Sequence, residues 1–218
     1  MRFKQLLSLV VIGCSISVSA QEYLALGDSY TIGESVLESE RWPNQLAEAL
    51  KGTFLEVETV AIIAKTGWTT AELIEGIKTS KNTNQYDLVS LLIGVNNQYR
   101  GQSLERFETE LSQLIKTAIL YSKNGAQGVF MVSIPDWGVT PFAKDRDIEK
   151  IAMEIQDFNM VIQKQANEIK IPYIDITPIS KEAKTDLSLL ASDELHPSGK
   201  MYQLWVQKIK KELLKTPE

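Results

Sequence analysis

Three side chains in this sequence have the types and spacing for nucleophilic attack on a carbonyl. They are Ser29, within Gly27-Asp28-Ser29-Tyr30, and Asp193 with His196, within Asp193-Glu194-Leu195-His196-Pro197. A serine hydroxyl is a poor nucleophile until a base takes its proton, and His196 is the single His of the chain. Asp193 stands three residues earlier, a spacing that lets its carboxylate accept a hydrogen bond from the far ring nitrogen and so fix the tautomer. The tetrahedral intermediate also needs donors for its oxyanion. The backbone amides of Ser29 and Gly67 and the side-chain amide of Asn96 are the candidates, Gly67 because it lets the backbone come close and Asn96 because it is a neutral donor. Each signal alone has a plainer explanation. Gly-Asp-Ser forms turns, a His before Pro is a helix-entry or core residue, Asp193 caps a turn, Asn96 and Asn97 suit tight turns, and Gly67 and Gly94 end strands. Their occurrence in order, each just past a separate strand, favours the chemistry.

The strands and helices that would hold these residues alternate along the chain. Residues 23–26 predict a strand stopping at Gly27, residues 43–50 a helix with Pro43 in its first turn, and a second strand lies within 55–64. Thr69 with Glu72 three residues later makes a capping-box pattern for the next helix. The apolar run at 87–93, ending in Gly94, predicts a central strand covered on both faces. Leu104, Phe107, Leu111, Leu114, Ile115 and Ala118 recur at helical spacing, residues 128–134 form another buried strand closed by Pro135, and Ile148 to Ile162 mark a long helix. A last strand at 173–176 leads through a polar stretch to a terminal helix carrying Met201, Leu204, Trp205, Ile209 and Leu213. Five strands alternating with helices predict an α/β fold, a five-stranded parallel sheet between two helical layers. Such sheets bind ligands beyond the carboxyl ends of their strands, where Ser29, Gly67, Asn96, Trp137 and, past the polar stretch, His196 fall.

Composition narrows the function classes. With 218 residues, 44% hydrophobic and 23% charged, and with 12 Gly and 7 Pro, the chain is neither disordered, collagenous nor a coiled coil, and it supports one domain over residues 21–218. One Cys excludes an internal disulfide, and one His excludes zinc sites built from several His or Cys. The net charge is −5, and −7 without Arg2 and Lys4, which argues against nucleic acid as a partner. Residues 1–20 read as a secretory signal: two positive charges, an apolar stretch, then Val18-Ser19-Ala20 with small residues at −3 and −1. In a competing reading, Val11-Ile12-Gly13-Cys14 is a lipoprotein box and Cys14 a lipid anchor. Ser8, Ser15, Ser17 and Ser19 interrupt the run and argue against a transmembrane span.

Together the motifs resemble the SGNH/GDSL hydrolase superfamily across almost all of the chain after residue 20. Gly27-Asp28-Ser29-Tyr30 resembles the first block, with Tyr30 where the family name has Leu. Gly67 matches the second, Gly94-Val95-Asn96-Asn97 resembles the third, and Asp193-Glu194-Leu195-His196 fits the Asp-x-x-His of the last. The departure is Asn97, where Asp is commoner. The resemblance implies a Ser29, His196, Asp193 triad and an oxyanion hole of Ser29, Gly67 and Asn96, in a three-layer α/β/α fold using neither metal nor cofactor. An ordinary α/β-hydrolase is disfavoured, because Gly27-Asp28-Ser29-Tyr30-Thr31 lacks the second Gly of its nucleophile elbow.

Two segments bear on the substrate. Residues 135–142 put Trp137 and Phe142 in a loop at the active edge, as an acyl or sugar wall or as pins holding the loop to the body. Asn97, Gln98, Tyr99 and Arg100 extend the third block into a polar loop, with Arg100 either an anion contact or a solvated surface charge. The resulting expectation is an exported serine esterase, periplasmic or secreted, that cleaves small-molecule or glycan acyl esters through an acyl-enzyme. A polysaccharide or cell-wall O-acetyl esterase uses the same machinery. From another class, the competitor is a catalytically silent carbohydrate- or lipid-binding module of the same fold.

Overall fold

The computed structural model describes residues 21–215. The signal segment and Cys14 lie outside them. Five strands, β1 (Gln21–Gly27), β2 (Val57–Ala64), β3 (Leu88–Leu92), β4 (Val129–Val132) and β5 (Tyr173–Ile174), form one sheet in the order β2-β1-β3-β4-β5. Every neighbouring pair is parallel. Among the described residues the helices are α1 (Ser29–Ile32), α2 (Trp42–Leu50), α3 (Thr70–Ser80), α4 (Val95–Tyr99), α5 (Leu104–Tyr121), α6 (Ile148–Glu168), α7 (Thr177–Lys181) and α8 (Gly199–Leu213), with short 3-10 turns between them. Helices α2 and α8 pack together, while α3, α5 and α6 form a second row, giving the expected α/β/α sandwich. No helix among the described residues is long and apolar enough to cross a membrane.

The apolar run of β3 is buried at every residue, because it is the middle strand with helices on both faces. Its one hydroxyl, Ser90 Oγ, is satisfied by Tyr23 Oη at 2.7 Å. Helix α3 starts where the capping box predicts: Thr69 accepts from the Glu72 N–H, and Glu72 accepts from the Thr69 N–H at 2.8 Å. Two expectations need correction. The fifth strand is two residues long rather than four, since Ser133 Oγ takes the Ile176 N–H at 2.7 Å and the Thr177 N–H at 3.1 Å, ending the ladder and turning the chain into α7. The segment after Gly94 is a helix and not a polar loop: the Gln98 N–H reaches Gly94 O at 3.1 Å and the Arg100 N–H reaches Asn96 O at 3.1 Å.

The chain moves outward from β1 to β2 in one direction and from β1 past β3 to β4 and β5 in the other. The carboxyl ends of β1 and β3 are therefore the switch point at which open α/β sheets form a crevice. Gly27 sits at that point. A Cβ there would lie 2.5 Å from Leu92 O and 2.1 Å from Thr31 Oγ1, so any larger residue would push β1 from β3 or displace α1.

Candidate active site

Ser29 is the first residue of α1 and is 3% exposed. Asp28 caps this short helix, its Oδ1 accepting the Tyr30 N–H at 3.0 Å. The crevice above β1 and β3 is a cavity of about 180 Å3 lined by Ser29, Gly67, Asn96 and His196, with Tyr99, Trp137 and Phe142 among its walls. The sequence-predicted site residues other than Asp193 thus meet in one place, and Asp193 stands directly behind His196. Larger surface hollows, about 530 Å3 along α6, β5 and α8 and about 680 Å3 between α5 and α6, hold neither Ser29 nor His196.

His196 is buried beside Ser29's helix, its ring 5.0 Å from that of Tyr30. Its Nδ1 lies 2.7 Å from Asp193 Oδ2, which leaves Nε2 as its other ring nitrogen for exchange with a substrate or hydroxyl. Asp193 also caps its own turn, Oδ1 accepting the Leu195 N–H at 3.0 Å and the His196 N–H at 2.9 Å. The two explanations that the sequence offers for Asp193 are both realised in one carboxylate. Ser35 Oγ, from the loop after α1, donates to Oδ2 at 2.6 Å. Partial burial acts to raise the pKa of Asp193, but the hydrogen bonds from Ser35, the His196 amide and ring and the Leu195 amide prevail and hold it at about 2.

Neither the Ser29 nor the Gly67 N–H has an acceptor among the described residues. Gly67 has φ +82°, a backbone region open to glycine, and its carbonyl accepts Arg100 Nη2 at 2.6 Å. Arg100 Nη1 simultaneously meets both Glu72 carboxylate oxygens, at 3.2 and 3.1 Å, so Arg100 is neither a free surface charge nor an open anion site. It ties the loop after β2 to the start of α3. Asn96 Nδ2 donates to Trp68 O at 3.0 Å and reaches Asp28 Oδ2 at 3.5 Å, the outer limit of a hydrogen bond. Asn97, one residue on, turns away and is fully buried. Its Oδ1 accepts the Thr70 N–H at 3.1 Å, and its Nδ2 donates to Thr70 Oγ1 at 2.6 Å and Gln102 Oε1 at 2.9 Å. The contact to the Gln102 carbonyl needs an amide donor, which a carboxylate at 97 would not provide.

Trp137 lines the cavity and is also pinned: its Nε1 donates to Gln98 Oε1 at 2.7 Å, and Gln98 Nε2 donates to Glu154 Oε2 at 2.7 Å on α6. Phe142 stands 45% exposed at the rim against Trp137 and Tyr99, with ring centroids 6.0 and 6.3 Å apart. Sequence reasoning missed Ser35 and the role of Tyr99 as wall, and no spacing could have found Ser35, which meets Asp193 across 158 positions.

Asp28 is wholly buried, and that burial pushes its carboxyl up to about 7, against the lowering effect of the Tyr30 N–H and the Asn96 amide. Its folded value lies above the ordinary 3.8, so the folded state binds the proton more firmly between about 4 and about 7, and stability falls as pH rises through that window. Asp28→Asn removes the titration while keeping an acceptor for the Tyr30 N–H. It should raise Tm by several degrees at pH 8 and by little at pH 4, in thermal melts followed by circular dichroism. An equal change at both pH values would show that Asp28 does not titrate there.

No match is found among curated protein sequences. The solved structures that share the fold include a lipolytic protein of the G-D-S-L family from Veillonella parvula, 18% identical, with a TM-score of 0.70 over 88% of this chain and 97% of that one. An acetyl xylan esterase variant from Geobacillus stearothermophilus is 18% identical, with a TM-score of 0.68 over 91% and 97%. A psychrotrophic esterase from Pseudoalteromonas sp., inhibited by monoethylphosphonate, is 16% identical, with a TM-score of 0.66 over 88% and 96%. The GDSL-like Lipase/Acylhydrolase family profile matches residues 25–204, which contain every residue of the cavity and of the Asp193 and His196 pair. The chain therefore belongs to the GDSL-like lipase/acylhydrolase family of ester-cleaving hydrolases.

Proposed function

We propose that the protein hydrolyses carboxylic esters of short acyl groups through a covalent acyl-enzyme on Ser29. The observation that carries this reading is the meeting of Ser29 and His196 in one cavity with Asp193 Oδ2 2.7 Å behind the ring. Ser29 Oγ adds to the carbonyl carbon as His196 Nε2 takes its proton, and Asp193 holds the ring and stabilises the imidazolium. The carbonyl oxygen becomes an oxyanion facing the Ser29 and Gly67 N–H groups, which have no other acceptor, and the Asn96 amide. Collapse expels the alcohol with the proton from His196. Water then enters, gives its proton to the same nitrogen, and releases the acid and the serine.

A cavity of about 180 Å3 is smaller than the ~300–1,000 Å3 of drug-sized ligand sites, which supports a short acyl group against the fixed Trp137 wall. Turnover of p-nitrophenyl esters should fall from acetate or butyrate to longer chains. It should stop on labelling by one equivalent of a serine-reactive phosphonate. Absence of turnover on all of them, with the serine unlabelled, would favour a binding module.

The oxyanion assignment is tested on neighbouring residues. Asn96→Ala should lower kcat on the order of 10²- to 10³-fold with little change in KM, because the amide acts where charge develops. Asn97→Ala removes three hydrogen bonds, two of them buried, and should cost about 2 kcal/mol or more of stability but far less turnover. Steady-state kinetics and urea melts separate the two, and a larger kcat loss in Asn97→Ala would reverse the roles.

The same reading places the enzyme outside the cytoplasm, on the order of charged, apolar and small residues in 1–20. Intact mass of the protein recovered from its host should correspond to a chain starting at Gln21. A lipid-bearing Cys14 at the start would replace soluble release by membrane anchoring.

A further inference from the structure

We propose that Ser35 is a positioning residue of this site, its hydroxyl holding the second oxygen of the Asp193 carboxylate in the orientation that aligns His196. The inference rests on the triad reading above. Asp193 Oδ1 is fixed by two N–H groups of its own turn, from Leu195 and His196. Both bonds come from the turn itself and act on Oδ1, so they hold Oδ2 only through the stiffness of the side chain. Oδ2, the oxygen that meets His196 Nδ1 at 2.7 Å, is held from outside the turn by Ser35 Oγ at 2.6 Å. A hydroxyl donating to a carboxylate at that length is a charge-assisted bond, stronger than a neutral one.

The backbone points the same way. Among the described residues, four that are not glycine have positive φ: Ser35 at 64°, Lys81 at 52°, Lys170 at 57° and Glu194 at 59°. Lys81 caps the end of α3 and Lys170 follows the C-cap of α6, positions where a left-handed residue is ordinary. Ser35 and Glu194 end no helix of this kind. Gly33 already closes α1, and Glu194 sits inside the Asp193 to His196 turn. Left-handed backbone is sparsely populated for side chains other than Gly, and strain of this sort persists where the surrounding structure uses it. Glycine would fit position 35 without strain but would bring no hydroxyl.

The test uses Ser35→Gly and Ser35→Ala in the full-length mature enzyme, with p-nitrophenyl acetate as substrate. Ser35→Gly relieves the backbone, so its Tm should equal or exceed that of the wild type, while kcat falls about 10-fold with KM unchanged. Ser35→Ala should lose kcat to the same extent. Because the chain has one His, the low-field Nδ1 proton of His196 can be assigned in NMR spectra without ambiguity, and it should move from its wild-type position in both variants. In an Asp193→Asn background, Ser35→Gly should cost little more, since the two residues act as one unit. Wild-type kcat with an unmoved proton signal would overturn the role of Ser35, as would a kcat loss that merely follows a lowered Tm. Those results with an inactive Ser29→Ala enzyme would defeat this inference alone, whereas an active Ser29→Ala enzyme would defeat the triad reading beneath it.

Discussion

Ser29→Ala should lower kcat for ester hydrolysis by at least about 10⁴-fold, because the covalent route disappears and only substrate binding and the oxyanion donors remain. The fold should not register the change. Ser29 Oγ makes no hydrogen bond among the described residues, whereas its backbone carbonyl, which the variant keeps, accepts the Gly33 and Glu34 N–H groups at 3.0 Å each. Ala is also the better helix former at the start of α1. Kinetics on p-nitrophenyl acetate, a Tm measurement and mass spectrometry after phosphonate treatment make the test. The wild type should carry one adduct on the peptide containing Ser29, and the variant none. Substantial residual turnover, or an adduct on another serine, would remove Ser29 from the mechanism.

The second large effect belongs to Asp193→Asn, for which kcat should fall on the order of 10³- to 10⁴-fold. The replacement keeps the shape and most of the turn, but the oxygen beside His196 Nδ1 becomes an amide nitrogen that donates. The ring then carries its proton on Nε2, the nitrogen that must accept from Ser29. Acidification should not reproduce this loss through Asp193 itself. Its folded value of about 2 lies below the ordinary 3.8, so the carboxylate is ionised throughout the working range, and the stability it contributes is lost only as pH falls towards 2. An acid limb in the activity profile near neutrality must therefore come from another group. Measured kcat and KM for the variant across pH 5 to 9 check the assignment, and turnover within about 10-fold of wild type would show that the Asp193 contact is structural only.

Large parts of this protein are legible in order along the chain because their causes are local. Capping at Thr69, the apolar period of α5, the buried run of β3 and the three-residue spacing of Asp193 and His196 all depend on neighbours within a few positions. Gly27 is legible as special, but its reason is not: the obstacle to a side chain there is Leu92 O on another strand. The segment around Asn96 and Asn97 shows the opposite failure. Two Asn after a Gly suggest a turn on local grounds, yet Asn97 is drawn inward by Thr70 and Gln102, and the segment closes into α4.

By itself the sequence determined the alternation of strands and helices, and with it the sheet edge at which Ser29, Gly67, Asn96 and His196 must emerge. Strand order is not legible in that alternation: the order β2-β1-β3-β4-β5, and with it the switch point between β1 and β3, is set by the tertiary structure. Only the tertiary structure decided which neighbour each side chain meets once there: Arg100 on the Gly67 carbonyl, Gln98 behind Trp137, Ser35 on Asp193. The physical reason is that a hydrogen bond needs its atoms within a few tenths of an ångström. Periodicity places a backbone to the nearest turn or strand, and the remaining precision comes from packing between segments as far apart as residues 35 and 193.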